Sequence, residues 1–145
     1  MSLVTLVLIV AIGIAAVVLS VHLTGGSKRA QLDGEEHARA RLAEDYPSIA
    51  IRTVHLTADR TAAVMTLGDG RMGIVQAIGG KFLTRLLAQG DLVGVPRASD
   101  RTVAIRLADF TWRWGEFTFE DRETALRVEA MFGALRKARR WEEVA

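Results

Sequence analysis

The chain has 145 residues, half of them hydrophobic, which is enough for one packed core but not for several domains. It contains no cysteine, which excludes disulfide bonds, thiolate metal sites and cysteine nucleophiles. The formal net charge is only +2, and no basic stripe with interleaved aromatic side chains occurs, so we expect no nucleic-acid partner.

The first predicted element is a long apolar helix over Leu3–Leu23, a run without any charged side chain. At about 1.5 Å rise per residue, it is long enough to cross about 30 Å of hydrocarbon. No basic residue precedes the run, the run exceeds a usual signal-peptide core, and no small-residue cleavage site follows it. We therefore predict an uncleaved, single-pass signal anchor, with residues 1–27 forming this transmembrane helix and a glycine hinge.

The charges that flank this helix predict its direction. Met1 and Ser2 carry no basic side chain, whereas Lys28 and Arg29 follow the helix. The positive-inside rule then places the N-terminus outside and the C-terminal domain in the cytoplasm. Arginine far outnumbers lysine and alanine is abundant, which is typical of a GC-rich bacterial genome, so the predicted membrane is a bacterial inner membrane.

Small residues inside the predicted anchor indicate a surface for helix pairing. Ala11 and Ala15, and likewise Ala16 and Ser20, are four positions apart, and Gly13 lies between Ala11 and Ala15. Such spacing allows a second membrane helix to approach closely. The alternative is that small residues are simply common in membrane helices.

Residues 28–47 are predicted to form a membrane-proximal connector that contains one helix. Asp33 and Glu36 have the spacing of a capping box at its start. Ala38 and Leu42 provide a thin apolar stripe at helical spacing, so the helix is expected to lean on the domain that follows.

Residues 48–145 are predicted to form an α+β domain with about seven short antiparallel strands. Side chains alternate with period two between turns at 58–60, at the Gly-Asp-Gly of 68–70 and at the Gly-Gly of 79–80. Residues 82–88 fit either a strand or a short amphipathic helix, and the glycine turn before them favours the strand.

The second half of this domain shows a short apolar run, a polar loop and an aromatic segment. We predict a strand at 92–95, a loop at 97–100 and a strand at 102–107. The parity of the aromatic residues changes across Gly115, so a bulge there is expected to turn all of them towards the core. These residues are Phe110, Trp112, Trp114, Phe117 and Phe119.

The last predicted element is an amphipathic helix with Asp121 as its N-cap. Gly133 within it indicates close packing on the sheet. Its buried stripe, at helical spacing, is predicted to consist of Ala125, Val128, Phe132 and Leu135.

The order of elements over residues 49–140 resembles a pleckstrin-homology-like (PH-like) domain, in which a bent antiparallel sheet or barrel is closed by a C-terminal helix. The resemblance rests on this order and on the aromatic last strand that runs into the helix. The chain is also similar to uncharacterised single-pass bacterial membrane proteins with such a domain. A simple layer of sheet and helix is the competing α+β fold.

The sequence contains no catalytic or metal-binding constellation. His22, His37 and His55 share no ligand spacing, and neither a nucleophile elbow nor a phosphate-binding loop occurs. We therefore expect no cofactor and a non-catalytic, membrane-anchored module whose partners are the lipid bilayer and another membrane protein or complex. An enzyme acting on a membrane-borne substrate is the least favoured reading.

Basic residues beside the anchor and near the C-terminus predict an alternative function, the sensing of an anionic lipid surface. The simpler interpretation is that cations in a last helical turn stabilise the helix dipole. The residues predicted to contact lipid are Lys28, Arg29, Arg136, Lys137, Arg139, Arg140 and Trp141.

Overall fold

A computed structural model describes residues 1–24, 29–94 and 96–142, with side chains in the last helix described up to Lys137. The helices are α1 (Leu3–Leu23), α2 (Glu35–Asp45) and α3 (Arg122–Glu142). The strands are β1 (Ile51–Leu56), β2 (Ala62–Leu67), β3 (Met72–Ile78), β4 (Lys81–Leu87), β5 (Arg97–Ser99), β6 (Thr102–Arg106) and β7 (Trp114–Thr118).

The strands form two antiparallel sheets that are not closed into one barrel among the described residues. The first sheet has the order β1-β2-β3-β4 and the second the order β5-β6-β7. The predicted α+β class, the N-terminal apolar helix, the antiparallel strands and the C-terminal helix are therefore confirmed. The strand at 82–88 is confirmed as well, because β4 pairs with β3 along its whole length.

One face of the first sheet packs against the second sheet and α3. Phe132 of α3 stacks on Phe117 of β7, with 6.5 Å between the ring centroids. The predicted α3 stripe is confirmed, and the Asp121 side chain accepts a hydrogen bond from the backbone N–H of Thr124, as an N-cap does. The buried stripe consists of Ala125, Val128, Phe132 and Leu135.

The opposite face of the first sheet packs against α2. Ala38 and Leu42 of α2 are buried there, against Val75 and other side chains of the sheet. Gly73 of β3 lies directly beneath Leu42, since a Cβ atom at residue 73 would be 2.9 Å from a Leu42 methyl group. The sheet therefore has no solvent-facing side at its centre, which explains why β2 and β3 are apolar on both faces.

Residues 29–33, here called the strap, cross the ends of two hairpins of the first sheet. The N–H of Ala30 donates to the carbonyl of Gly79 (2.8 Å), and the N–H of Leu32 donates to the carbonyl of Arg60 (2.7 Å). The Leu32 side chain is buried in the same core as α2. We call this end of the sheet the proximal end, and the opposite end, with the β2–β3 turn, the distal end.

The prediction of a strand at 92–95 was wrong. Among the described residues of that segment, Leu92 makes an isolated bridge to Leu107, and the strand β5 forms instead at 97–99, where a polar loop was expected. A three-residue edge strand needs no apolar alternation, because backbone hydrogen bonds to β6 hold it, so hydropathy does not reveal it. Val95 lies outside the described residues.

The predicted bulge at Gly115 was also wrong. Pairing continues without a shift from Ile105↔Gly115 to Val103↔Phe117. A Cβ atom at residue 115 would be 3.1 Å from both Ile105 and Phe117, so this glycine makes room for its neighbours instead of bending the strand. The even-numbered Trp114 consequently faces solvent.

Two smaller helix predictions were wrong. The α2 N-cap position is Gly34, which has no side chain to cap with; Asp33 lies one residue earlier, and its N–H donates to Nδ1 of His37. Gly133 makes no close approach, since no described atom lies within 4 Å of the position its Cβ would take.

These two glycines give a matched test of the packing. Gly73→Ala is expected to lower the free energy of unfolding by roughly 1–3 kcal/mol, because Leu42 must move. Gly133→Ala is expected to raise it by up to about 1 kcal/mol, because alanine is the better helix former and the position is open. Chemical denaturation of the detergent-solubilised chain, followed by tryptophan fluorescence, measures both; equal effects would contradict the α2–sheet packing.

Candidate functional site

The small residues of α1 fall on two faces of the helix. At 100° per residue, Gly13, Ala16 and Ser20 share one face, whereas Ala11 and Ala15 lie on nearly the opposite face. In the described part of the chain, no residue of α1 is buried, and its mean hydropathy reaches 3.0. The helix is thus long and apolar enough to span a membrane, and helix pairing through either face stays a prediction.

The residues predicted to contact lipid are not gathered at one place. Arg29 is exposed in the strap at the proximal end, whereas Arg136 and Lys137 are exposed near the end of α3. An open cleft between the β2–β3 turn and α3, lined by Arg71 and Leu135, places that part of α3 at the distal end. Lys28 and the side chains of Arg139, Arg140 and Trp141 lie outside the described residues.

In the domain that follows α1, the β6–β7 connection forms an exposed aromatic surface. Phe110 and Trp114 are 83% and 63% exposed, although both are large apolar side chains. The guanidinium of Arg106 lies 4.9 Å from the Trp114 ring centroid, and that of Arg113 lies 5.0 Å from the Phe110 centroid. With the exposed Val93 beside them, these residues form what we call the aromatic–arginine patch.

A network of hydrogen bonds holds this connection in a defined shape. Oδ1 of Asp109 accepts from the backbone N–H and the hydroxyl of Thr111, both at 2.7 Å, which closes an Asx turn around Phe110. The other carboxylate oxygen accepts from Arg85 of β4. Arg85 also lies 5.4 Å from the centroid of the half-buried Trp112, so the base of the loop is tied to the first sheet.

The patch surrounds a cleft of about 300 Å³ with a positive rim. Arg106 and Arg113 have no carboxylate within 4 Å among the residues whose side chains are described. Asp109 is neutralised by Arg85, and Glu116, two residues after Trp114 on the same face of β7, is the nearest acidic residue along the strand. The arrangement offers apolar area and free cations, but no group that performs acid–base or nucleophilic chemistry.

The sequence contained a signal for one of the two exposed aromatic residues of this patch, Trp114. An uninterrupted period-two pattern has its inward positions at Gly115, Phe117 and Phe119, so the same pattern places Trp114 outward. The predicted bulge at Gly115 wrongly placed the Trp114 side chain in the core. The exposure of Phe110 has no such signal, because it depends on the turn around Asp109.

The histidines do not form a ligand site. Across 1–24, 29–94 and the described side chains of 96–137, no group of three His, Asp or Glu residues is arranged to hold a metal ion. His37 lies edge-on to Phe82, with 5.7 Å between centroids. His55 is half-buried on β1, and its Nε2 has no hydrogen-bond partner among the described atoms.

Carboxylates in the turns are structural. Burial alone would raise the pKa of Asp59, but hydrogen bonds from Thr61 and Thr57 outweigh it and hold the pKa below its usual value. A hydrogen bond from Arg71 likewise lowers the pKa of Asp69 in the β2–β3 turn. These charges are satisfied within their own turns and are not poised for catalysis.

A second concavity lies at the distal end, between the β2–β3 turn and α3. It is an open cleft of about 450 Å³ with an apolar floor that includes Met131 and Leu135 and polar edges at Arg52 and Gln89. Its other arginine, Arg71, is paired with Asp69 at 2.6 Å. The cleft therefore offers less free charge than the aromatic–arginine patch.

Comparison of the chain with protein-family profiles, with curated proteins and with solved structures gives no match.

The environment of His55 predicts a pH dependence of stability. Burial lowers its pKa, the positive charge of Arg127 lowers it further, and Glu35 opposes both effects. The unfolded chain, with the ordinary histidine pKa of 6.5, therefore binds the proton more readily than the folded chain. The unfolding free energy should fall as the pH drops from about 7 to about 5, a range in which ordinary carboxylates stay ionised.

The His55→Phe variant should show a shallower decline over this range, because it removes the titrating group. Denaturant unfolding at a series of pH values measures both slopes. An identical slope in the variant would contradict the assignment to His55.

Proposed function

We propose that the chain is a non-catalytic, membrane-anchored module that binds an acidic segment of another protein through the aromatic–arginine patch. The observation that carries this proposal is the pair of exposed aromatic rings, each covered by an arginine without a carboxylate partner among the described residues. Tryptophan and arginine are the residue types that contribute most to protein interfaces.

The structure of the loop supports recognition by a preformed surface. The Asx turn at Asp109 and its contact with Arg85 hold Phe110 outward before any partner arrives. A preformed surface loses little conformational entropy on binding. Burying an exposed phenylalanine contributes about 1.5–3 kcal/mol, so Phe110 and Trp114 together suffice for a central apolar contact.

The position of the patch favours a protein over the bilayer as its partner. Arg85, which holds the loop, follows Lys81 of the proximal end by four strand residues, or about 13 Å. The loop is also joined to the distal part of the chain, since the Ala108 N–H donates to the Asp91 carbonyl at 2.8 Å. The patch therefore lies away from the end at which the chain arrives from α1.

The charge of the patch defines the chemistry of the partner segment. Arg106 and Arg113 would exchange their contacts with the rings for bidentate contacts with carboxylates, while apolar side chains of the partner cover Phe110 and Trp114. Such an interface weakens as salt is added. The segment is thus expected to combine Asp or Glu residues with one or two apolar side chains.

The finer architecture and the location belong to the same proposal. Two sheets of four and three strands followed by a helix support a PH-like fold in an open form. The apolar α1, followed by Arg29 on its C-terminal side, supports a single-pass protein of a bacterial inner membrane with its domain in the cytoplasm. In this setting, an accessory subunit of an inner-membrane complex is the role we favour.

Photocrosslinking in native membranes tests the proposal. A benzoylphenylalanine introduced at the exposed Ala108, which lines the cleft of the patch, should crosslink a partner within an acidic segment, identified by mass spectrometry of the crosslinked peptide. Adding Phe110→Ala or Arg113→Glu should reduce the yield by about 30-fold, the effect of losing a hot-spot residue worth about 2 kcal/mol.

Matched exposed substitutions on α3, Leu126→Ala and Arg122→Glu, should leave the crosslink unchanged. A yield that is insensitive to Phe110→Ala and Arg113→Glu, or a crosslink confined to lipid, would overturn the proposal.

A further inference from the structure

The strap restricts how far the proximal end of the domain can lie from α1. The helix α1 ends at Leu23 with Thr24 as its C-cap, and Ala30 is already hydrogen-bonded to Gly79 at the tip of the β3–β4 hairpin. Six residues span at most about 21 Å even when fully extended. The hairpin tip is therefore held within that distance of the end of α1.

The tip of this hairpin exposes apolar side chains around a lysine. Ile78 is 61% exposed and Leu83 is 45% exposed, although both are aliphatic. In the strand register, Ile78 is opposite Lys81, and Leu83 lies two residues further along β4 on the same face. The turn between the strands is Gly79-Gly80, so no bulky side chain projects beyond Ile78.

The charges near the tip suit an anionic surface. Lys81 and Arg29 are exposed cations, and Arg60 of the neighbouring turn donates to the Asp33 carbonyl in the strap. The exposed carboxylates on this side of the domain are Asp33 and, at the start of α2, Glu35 and Glu36, whereas Asp59 is bound by hydroxyl and N–H groups of its own turn. Aliphatic side chains beside a lysine are the combination that enters the interfacial region of a bilayer while the ammonium group stays with the phosphates.

We propose that the β3–β4 hairpin tip, Ile78 to Lys81 with Leu83, is a second membrane-contact site that inserts into the headgroup region of an anionic phospholipid bilayer. This inference rests on the part of the proposed function that places α1 in the membrane. It is independent of the aromatic–arginine patch, which lies on the β6–β7 connection and is tied to β4 only further along the strand, at Arg85. The bilayer, and not a protein, is the occupant we assign, because the strap holds this tip next to the end of α1.

The site sets the orientation of the domain. With the hairpin tip on the lipid, the proximal end faces the membrane and the distal end faces the aqueous phase. Arg136 and Lys137 would then point away from the same bilayer, so the two predicted groups of lipid-contacting residues cannot act together on one surface.

Site-specific fluorescence in proteoliposomes tests this proposal with the full chain. Because the chain has no cysteine, a single introduced cysteine takes an NBD label cleanly. The labelled variants are Ile78→Cys at the tip, Ala88→Cys at an exposed distal position, Lys137→Cys on α3 and Val10→Cys in α1. Vesicles contain phosphatidylcholine with or without phosphatidylglycerol, and part of the lipid carries a nitroxide quencher.

The proposal expects a blue shift and lipid quenching for the label at residue 78, but neither for the labels at 88 and 137. Quenching at 78 should be stronger with phosphatidylglycerol and should weaken with Lys81→Glu. Equal signals at 78 and 88, with Val10→Cys quenched, would overturn the hairpin site while leaving the anchor intact. Stronger quenching at 137 than at 78 would overturn it in favour of α3.

An unquenched label at residue 10 would remove the anchor and this proposal together. It would leave the crosslinking test of the aromatic–arginine patch as a separate question. Failure of that crosslink, in turn, would not change the quenching at residue 78.

Discussion

Burial of the first sheet on both faces is the constraint on which the rest of the structure depends. One face needs the second sheet and α3, and the other needs α2, whose Leu42 fits above the backbone of Gly73. A sheet without a polar face is unstable unless both layers are present, because its apolar side chains would otherwise contact water. The short helix after α1 is therefore part of the core and more than a connector.

The same helix also contacts both edge strands of the sheet. Arg39 of α2 donates to the carbonyl of Ile51 in the edge strand β1 at 3.0 Å, and Arg41 donates to the carbonyl of Phe82 in the edge strand β4 at 3.4 Å. These two arginines, two positions apart on α2, therefore reach opposite edges of the sheet. A carbonyl that already accepts from an arginine is less available for pairing with another strand at that position.

This arrangement separates two surfaces of different chemistry. The strap holds the hairpin tip near the end of α1, whereas the aromatic–arginine patch lies on the β6–β7 connection, which the Arg85–Asp109 contact ties to the other half of β4. The proposed lipid contact and the proposed protein contact therefore do not compete. A domain held at its proximal end would present the patch at a fixed height and orientation to a partner in the same membrane.

The sequence by itself determined the elements whose pattern is local. The uncharged run of α1, the glycine turns of the hairpins and the stripe from Ala125 to Leu135 each follow from spacing and residue type, so all of them could be predicted. Only the tertiary structure decided the positions of β5, Phe110 and the end of α3. Those depend on contacts between residues far apart in the chain: β6 for β5, Arg85 for the loop around Phe110, and the β2–β3 turn for α3. The surfaces that carry the two proposals depend largely on this second group, because a surface is formed by side chains that packing leaves outside, and packing is decided by the whole chain.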